Sequence, residues 1–158
     1  MTSIDWQELA TDIHNWGEQL GFAEIGVASA EISYHQRYLE EWLKNNYHGE
    51  MAYMARHSDL RSDPTKLFPG AESIICLRLD YLNHATQPKN ILASDSSAYI
   101  SRYALGRDYH KVIRGKLKKL VRRIEDHLTK KKYHNFRARV FTDSAPILEK
   151  AYAEQAGI

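Results

Sequence analysis

The sequence predicts one domain built from helices and strands together, and three observations carry that reading. Apolar residues recur at helical spacing in three segments, the longest running from about Asp108 to Lys131. The run from Ser73 to Tyr81 is nearly continuously apolar and has the length of a buried strand. Phe136, Ala138 and Val140 alternate with Arg137, Arg139 and Phe141, the period of a half-buried strand. The 158 residues suffice for a single domain with a real core, and the chain contains no internal repeat, low-complexity tract or linker.

The elements follow in order. Trp6, Leu9, Ile13, Trp16 and Leu20 mark the first helix, with Ser3 or Asp5 as its cap and Gly21 as its stop. Its two tryptophans are expected to pack rather than to stack on bases. Phe22 to Ala28 reads as a short strand that Gly26 interrupts. A second helix is expected over 33–46, with Tyr38, Leu39, Trp42, Leu43 and Tyr47 as its apolar stripe and His48-Gly49 ending it. Glu50 to His57 adds one or two helical turns. Arg56, His57 and Arg61 then form either an anion-holding cluster or a surface ion-pair cluster. Asp63-Pro64 and Pro69-Gly70 are turn signals, with Leu67 and Phe68 tucked onto the core between them. Cys76, inside the Ser73–Tyr81 run, is expected to be a small buried hydrophobe. The polar stretch 83–97 reads as a long loop and Ala98 to Ala104 as a short strand. In the long helix, Val112, Ile113, Leu117, Leu120, Ile124 and Leu128 form the buried stripe, while Arg114, Lys118, Arg122 and Arg123 lie largely off it.

The segment after that helix organises the rest. The strand at Phe136–Phe141 is followed by Asp143, and Pro146 suits the first turn of a helix that Ser144 can cap. Asp143 therefore sits where a strand ends and a helix begins, a frequent place for a reacting group. It is either such a group or a second helix cap.

Composition narrows the classes. No apolar run approaches the length of a bilayer span, and the opening Met1-Thr-Ser-Ile-Asp-Trp6 has neither the basic nor the apolar region of a signal peptide. One cysteine excludes an intrachain disulfide, a thiolate-built metal site and a four-cysteine iron–sulfur cluster held by this chain alone. The expected location is the cytoplasm. Net charge is only +2, yet residues 102–139 carry 14 Lys/Arg against 3 Asp/Glu, which points to a polyanionic partner or to a solvated basic helix face.

Four segments carry a resemblance: Tyr47-His-Gly-Glu-Met-Ala-Tyr-Met-Ala-Arg-His57, Ser101-Arg-Tyr-Ala-Leu-Gly-Arg-Asp-Tyr-His110, Asp143-Ser-Ala-Pro-Ile-Leu-Glu149 and Ala153-Glu-Gln-Ala-Gly157. In order and spacing, along essentially the whole chain, they resemble the epoxyqueuosine reductases, cobalamin-dependent enzymes that complete queuosine in tRNA. The resemblance implies an α+β fold, a mixed sheet flanked by helices, in a cobalamin-binding domain related to the reductive dehalogenases. It also implies two 4Fe-4S clusters and a helical-repeat tail, which the family carries after a Gly-Trp-x-Gly-Lys segment. Residues 1–158 are thus expected to be one N-terminal cobalamin-binding and substrate domain, a monomer, inactive alone and dependent on an electron donor.

The implied reaction removes an epoxide oxygen from the wobble nucleoside, consuming two electrons and two protons. Asp143 matches the family's proton donor, and burial against an apolar corrin face would keep such a carboxyl protonated near neutral pH. By the same resemblance Arg56, Ser101, Arg102, Tyr103, Ala104, Tyr109, Asp143 and Ser144 are expected around the cofactor, with neither His57 nor His110 as a cobalt ligand. Lys118, Arg122 and Arg123 are expected to meet phosphates of a tRNA bearing epoxyqueuosine. A cobalamin carrier without turnover and a basic RNA-binding module are the competing readings. Absorbance on adding cobalamin separates the module from the other two.

Overall fold

A computed structural model describes residues 4–31, 33–81 and 88–158 of the chain. Helix α1 (Trp6–Gln19) leads into strand β1 (Glu24–Ser29), then α2 (Ser33–Lys44) and three short helices, α3 (Ala52–Arg56), α4 (Ser58–Ser62) and α5 (Pro64–Leu67). Strand β2 (Ser73–Arg78), α6 (Pro88–Leu92), a 3-10 turn at Arg102–Ala104, the long α7 (Tyr109–Lys130) and α8 (Glu149–Gln155) complete it. Asp5 is the cap of α1: its Oδ1 accepts the amides of Gln7 at 2.9 Å and Glu8 at 3.0 Å. Among the described residues no helix is long and apolar enough to cross a membrane.

The two strands pair antiparallel, from Glu24 opposite Arg78 to Ser29 opposite Ser73. Side chains alternate across a strand, so this pair divides its apolar residues between two faces. Ile25, Ile75 and Leu77 pack on the core that α1 and α7 build from Leu9, Ile13, Leu120, Ile124 and Leu128. Ala28, Ile74 and Cys76 pack on the second core with Ala151 and Tyr152 of α8. Cover on both faces is why β2 reads as a continuous apolar run even though it is antiparallel. Gly26, which breaks the apolar pattern of β1, lies under the end of α8: a Cβ there would stand 2.3 Å from the Ala156 carbonyl oxygen. Trp16 packs on the core of α1 and α7 and lies edge-on to His127, whereas Trp6 is exposed and meets Tyr133 edge-on, both at 5.8 Å between centroids.

The α+β class holds, but the expected mixed sheet does not form, because only β1 and β2 pair among the described residues. Phe136–Phe141 is not a strand. Its arginines, rather than its backbone, tie it down: Arg137 donates to the Pro69 carbonyl and Arg139 to that of Leu67, each at 2.9 Å. Arg137 also lies over the Phe68 ring at 5.4 Å. Alternation without a neighbouring strand leaves an extended segment held by side chains. Ala98–Ala104 likewise forms no strand and ends in the 3-10 turn. The long polar loop contains α6, and its residues 83–87 lie outside the described ones.

The helix expected at Pro146 starts three residues later. Ile147 donates back to the Ala145 carbonyl at 2.9 Å and Glu149 to that of Ile147 at 3.0 Å, tight turns that keep 145–148 out of helical geometry. Leu148, not Ser144, is the residue before α8, and no side chain caps it.

Candidate active site

The site gathers where α7 begins. Asp108 caps that helix: its Oδ1 accepts the His110 amide at 2.9 Å and pairs with His110 Nδ1 at 2.9 Å. The hydrogen bonds from His110 hold the Asp108 carboxyl below the usual range. The cap fixes the first turn, and Tyr109 is its first residue. The His110 ring stacks on Tyr109 at 4.0 Å and Tyr103 meets it edge-on at 5.9 Å. Tyr109 is thereby held between two rings, with its hydroxyl free of both.

That hydroxyl donates to Asp143 Oδ2 at 2.5 Å. Donation to the carboxylate is the main cause that pushes the Tyr109 phenol up to about 12, with burial and the Asp143 charge adding to it. Tyr109 therefore keeps its proton near neutral pH and is the donor in its contact with Asp143. Asp143 is exposed and holds a left-handed φ of +49°, a conformation that L residues other than Asn and Asp rarely adopt. Its amide donates to Glu149 Oε1 at 3.0 Å. Of the two carboxylate oxygens of Asp143, Oδ2 accepts from Tyr109, and no hydrogen bond to Oδ1 is found among the described residues.

A groove of about 770 Å³ lies beside this pair, walled by Tyr81, Tyr99 and Tyr103 with Arg78, Ser101 and Arg102 among its lining. Tyr103 belongs to both, so the groove wall and the acid are connected through Tyr109. Arg78 is held in place by Glu24 at 2.7 Å and Asp80 at 3.0 Å.

The family model described as "Epoxyqueuosine reductase QueG, DUF1730" matches residues 61–144, a span that includes the groove, Tyr109 and Asp143. The chain belongs to the epoxyqueuosine reductase family. Among its relatives, the epoxyqueuosine reductase of Pseudomonas aeruginosa is 48% identical over 98% of this chain and that of Escherichia coli 44% over 98%. The chain spans 41% and 40% of those two proteins. A crystal structure of selenomethionine-labelled epoxyqueuosine reductase superposes with a TM-score of 0.73 at 25% identity, covering 96% of this chain and 39% of that one. An epoxyqueuosine reductase solved with an epoxyqueuosine-modified tRNA-Tyr stem loop gives 0.70 at 26%, covering 95% and 38%.

Within the epoxyqueuosine reductase frame the expected residues separate. Tyr103, Tyr109 and Asp143 come together, and Ser101 and Arg102 line the adjoining groove. Ala104 is exposed in the 3-10 turn, and Ser144 is exposed next to Asp143. Arg56 is exposed at the end of α3, and no contact among the described residues links it to Asp143. Lys118 and Arg122 are exposed on α7, whereas Arg123 is partly covered and donates to Gln19 Oε1 at 2.8 Å. Sequence reasoning missed Arg78, Tyr81 and Tyr99, whose meeting across β2 and the 99–103 stretch leaves no local signal. Glu149 closes one of the four family segments, yet its place in that segment assigns it no part to play.

Proposed function

We propose that this chain is the cobalamin-binding and substrate-facing part of an enzyme that reduces epoxyqueuosine to queuosine in tRNA. The observation that carries the reading is the Tyr109–Asp143 hydrogen bond, joined through the Tyr103 ring to an aromatic groove. Family membership supports it, and so does the relative that holds a modified tRNA stem loop. The groove residues suit a corrinoid: three tyrosine faces offer apolar walls to a macrocycle, and Arg78, Ser101 and Arg102 offer donors to its amide edge. The likeness to reductive dehalogenase domains belongs to this proposal. Bound cobalamin would supply a strongly reducing cobalt centre.

The chain's own residues would then do three things. The tyrosine walls and the cofactor would exclude water from Asp143, which is open to solvent here. Tyr109 would hold Oδ2, leaving Oδ1–H to face the epoxide oxygen. Asp143 would give that proton as the first carbon–oxygen bond opens to a hydroxyl; with the two electrons and a second proton the other carbon–oxygen bond breaks, the oxygen departs as water and the ring keeps a carbon–carbon double bond. The two electrons come from outside this chain, whose single cysteine provides no cluster ligand set. On the outer face of α7, Lys118 and Arg122 would contact tRNA phosphates without reading sequence.

Titration of the chain with cobalamin, followed by visible spectra, tests the reading. Weak binding with the dimethylbenzimidazole base off the cobalt is expected. No spectral change at high cofactor excess would overturn the assignment of the groove.

A further inference from the structure

We infer that Glu149 is a positioning residue that latches the Asp143 loop, setting the acid against Tyr109 by accepting the Asp143 amide. The inference rests on the proposed function only for its catalytic consequence, since the latch itself is a matter of geometry. Glu149 opens α8, and α8 is anchored in the second core. Tyr152 is 1% exposed and donates to the Ala30 carbonyl at 3.2 Å, and Ala151 sits with it in the second core. Ile147 and Leu148 pack on that same core. Glu149 therefore projects from a fixed base. Its Oε1 reaches back across six residues to the Asp143 amide at 3.0 Å, closing the loop into a ring. The residue whose amide closes the ring, Asp143, itself holds the left-handed φ of +49°, a state open to Asp though not its commonest one.

Burial is the first cause that raises the Glu149 carboxyl above its ordinary range, and the Asp143 amide works against it. Glu149 is itself an exposed residue, and its carboxylate holds one backbone donor. No other hydrogen bond to the Glu149 carboxylate is found among the described residues.

A carboxylate in the first turn of a helix also suits the helix dipole, and four substitutions separate the two roles. Glu149→Gln keeps an oxygen acceptor at the same reach and loses the charge. Glu149→Asp keeps the charge and falls one methylene short. Glu149→Ala loses both. A latch makes Gln resemble the parent and Asp resemble Ala, whereas a dipole role makes Asp resemble the parent and Gln resemble Ala. Tyr109→Phe identifies the Tyr109 signal.

The readout is the titration of Tyr109, followed by NMR of ring-labelled tyrosine in this chain, with hydrogen exchange of the Asp143 amide alongside. In the Asp and Ala variants the Tyr109 value is expected to fall from about 12 toward the ordinary tyrosine value. Exchange at Asp143 is expected to speed at least tenfold in both. Parent-like titration and exchange in the Asp variant overturn the latch, and Glu149→Asp serves even where Glu149→Ala does not fold. Single-turnover reduction in a full-length reductase carrying this segment distinguishes the two ideas. If Tyr109 responds and the rate does not, the latch stands and the acid role of Asp143 falls.

Discussion

The first turn of α7 and its middle turns show two kinds of side-chain arrangement built on one helix. At the first turn every group has a fixed partner: Asp108 holds His110, the His110 ring lies on Tyr109, and Tyr109 holds Asp143. In the middle, Lys118 and Arg122 are exposed and carry charge without a set geometry. The helical repeat of about 100° per residue places Tyr109 on the side of the Leu120–Ile124–Leu128 stripe and puts Lys118 and Arg122 roughly on the opposite side. The acid thus lies on the inward side of the helix and the charge on the outward side. An anion drawn to the charge is not thereby delivered to Asp143. If that face meets tRNA, its charge supplies affinity and the first turn supplies placement.

The largest expected effect belongs to the first turn. In a full-length reductase carrying this segment, Asp143→Asn keeps the shape but removes the transferable proton, so single-turnover reduction should fall by about 10² to 10⁴. If Asp143 only shapes the turn, the variant melts lower but reduces the epoxide at close to the parent rate. Tyr109→Phe leaves the acid and removes its orienting bond. A smaller loss, about tenfold to a hundredfold, is expected in the rate with cobalamin affinity little changed. A Phe variant as slow as the Asn variant would make Tyr109 a reacting group rather than an orienting one.

The contrast also separates what the chain discloses in one dimension from what it does not. The basic excess of residues 102–139 is a count, and it is readable directly. The α7 stripe is a periodicity, and Leu120, Ile124 and Leu128 are buried as that periodicity requires. The partners at the first turn are different. Tyr109 and Asp143 are separated by 34 residues, and no spacing rule links them. Motif resemblance places them at one site, because it carries tertiary information that local pattern lacks. The strand expected at Phe136–Phe141 fails for the complementary reason. Alternation specifies which side chains share a face but says nothing about whether a partner strand is present, and here Arg137 and Arg139 take the place of the ladder. Pro146 signals a helix start well in general, yet the tight turns at 145–149 delay the helix to Glu149.

The middle turns yield a more modest effect that sharpens the comparison. If Lys118 and Arg122 each neutralise one tRNA phosphate, Lys118→Gln and Arg122→Gln should each lower the salt slope of tRNA binding by about 1 on a log–log plot, and by less for single-stranded loops. Arg123→Gln should behave otherwise, because its guanidinium is engaged by Gln19 across to α1. A small loss of thermal stability with an unchanged slope is expected there. If all three variants leave the slope alone, the outward face of α7 is a solvated surface, and the tRNA approaches by another side.

The smallest effect tests the first turn in this chain without cofactor or RNA. The Tyr109 phenol is pushed up to about 12 in the fold by donating to Asp143, while in the unfolded chain it titrates near the ordinary tyrosine value of about 10. The folded value is the higher, so this group's contribution to stability is fully present below about pH 10 and is lost as pH rises through about 12. Between those limits the unfolded chain has released the proton that the folded one keeps, and linkage makes unfolding progressively easier. The lysines of α7 titrate over the same range, so the parent curve alone does not isolate Tyr109. Comparison with Asp143→Asn does, because the lysines are common to both chains, whereas the amide lacks the negative charge that opposes phenolate formation. Denaturant unfolding measured from about pH 9 to about pH 12 should therefore show stability falling more steeply in the parent than in the Asn variant. Tyr109→Phe, which has no phenol to titrate, should follow the shallower course. Three parallel curves would mean that Tyr109 does not donate to Asp143 in solution, and the first turn would then have no more fixed geometry than the charged face behind it.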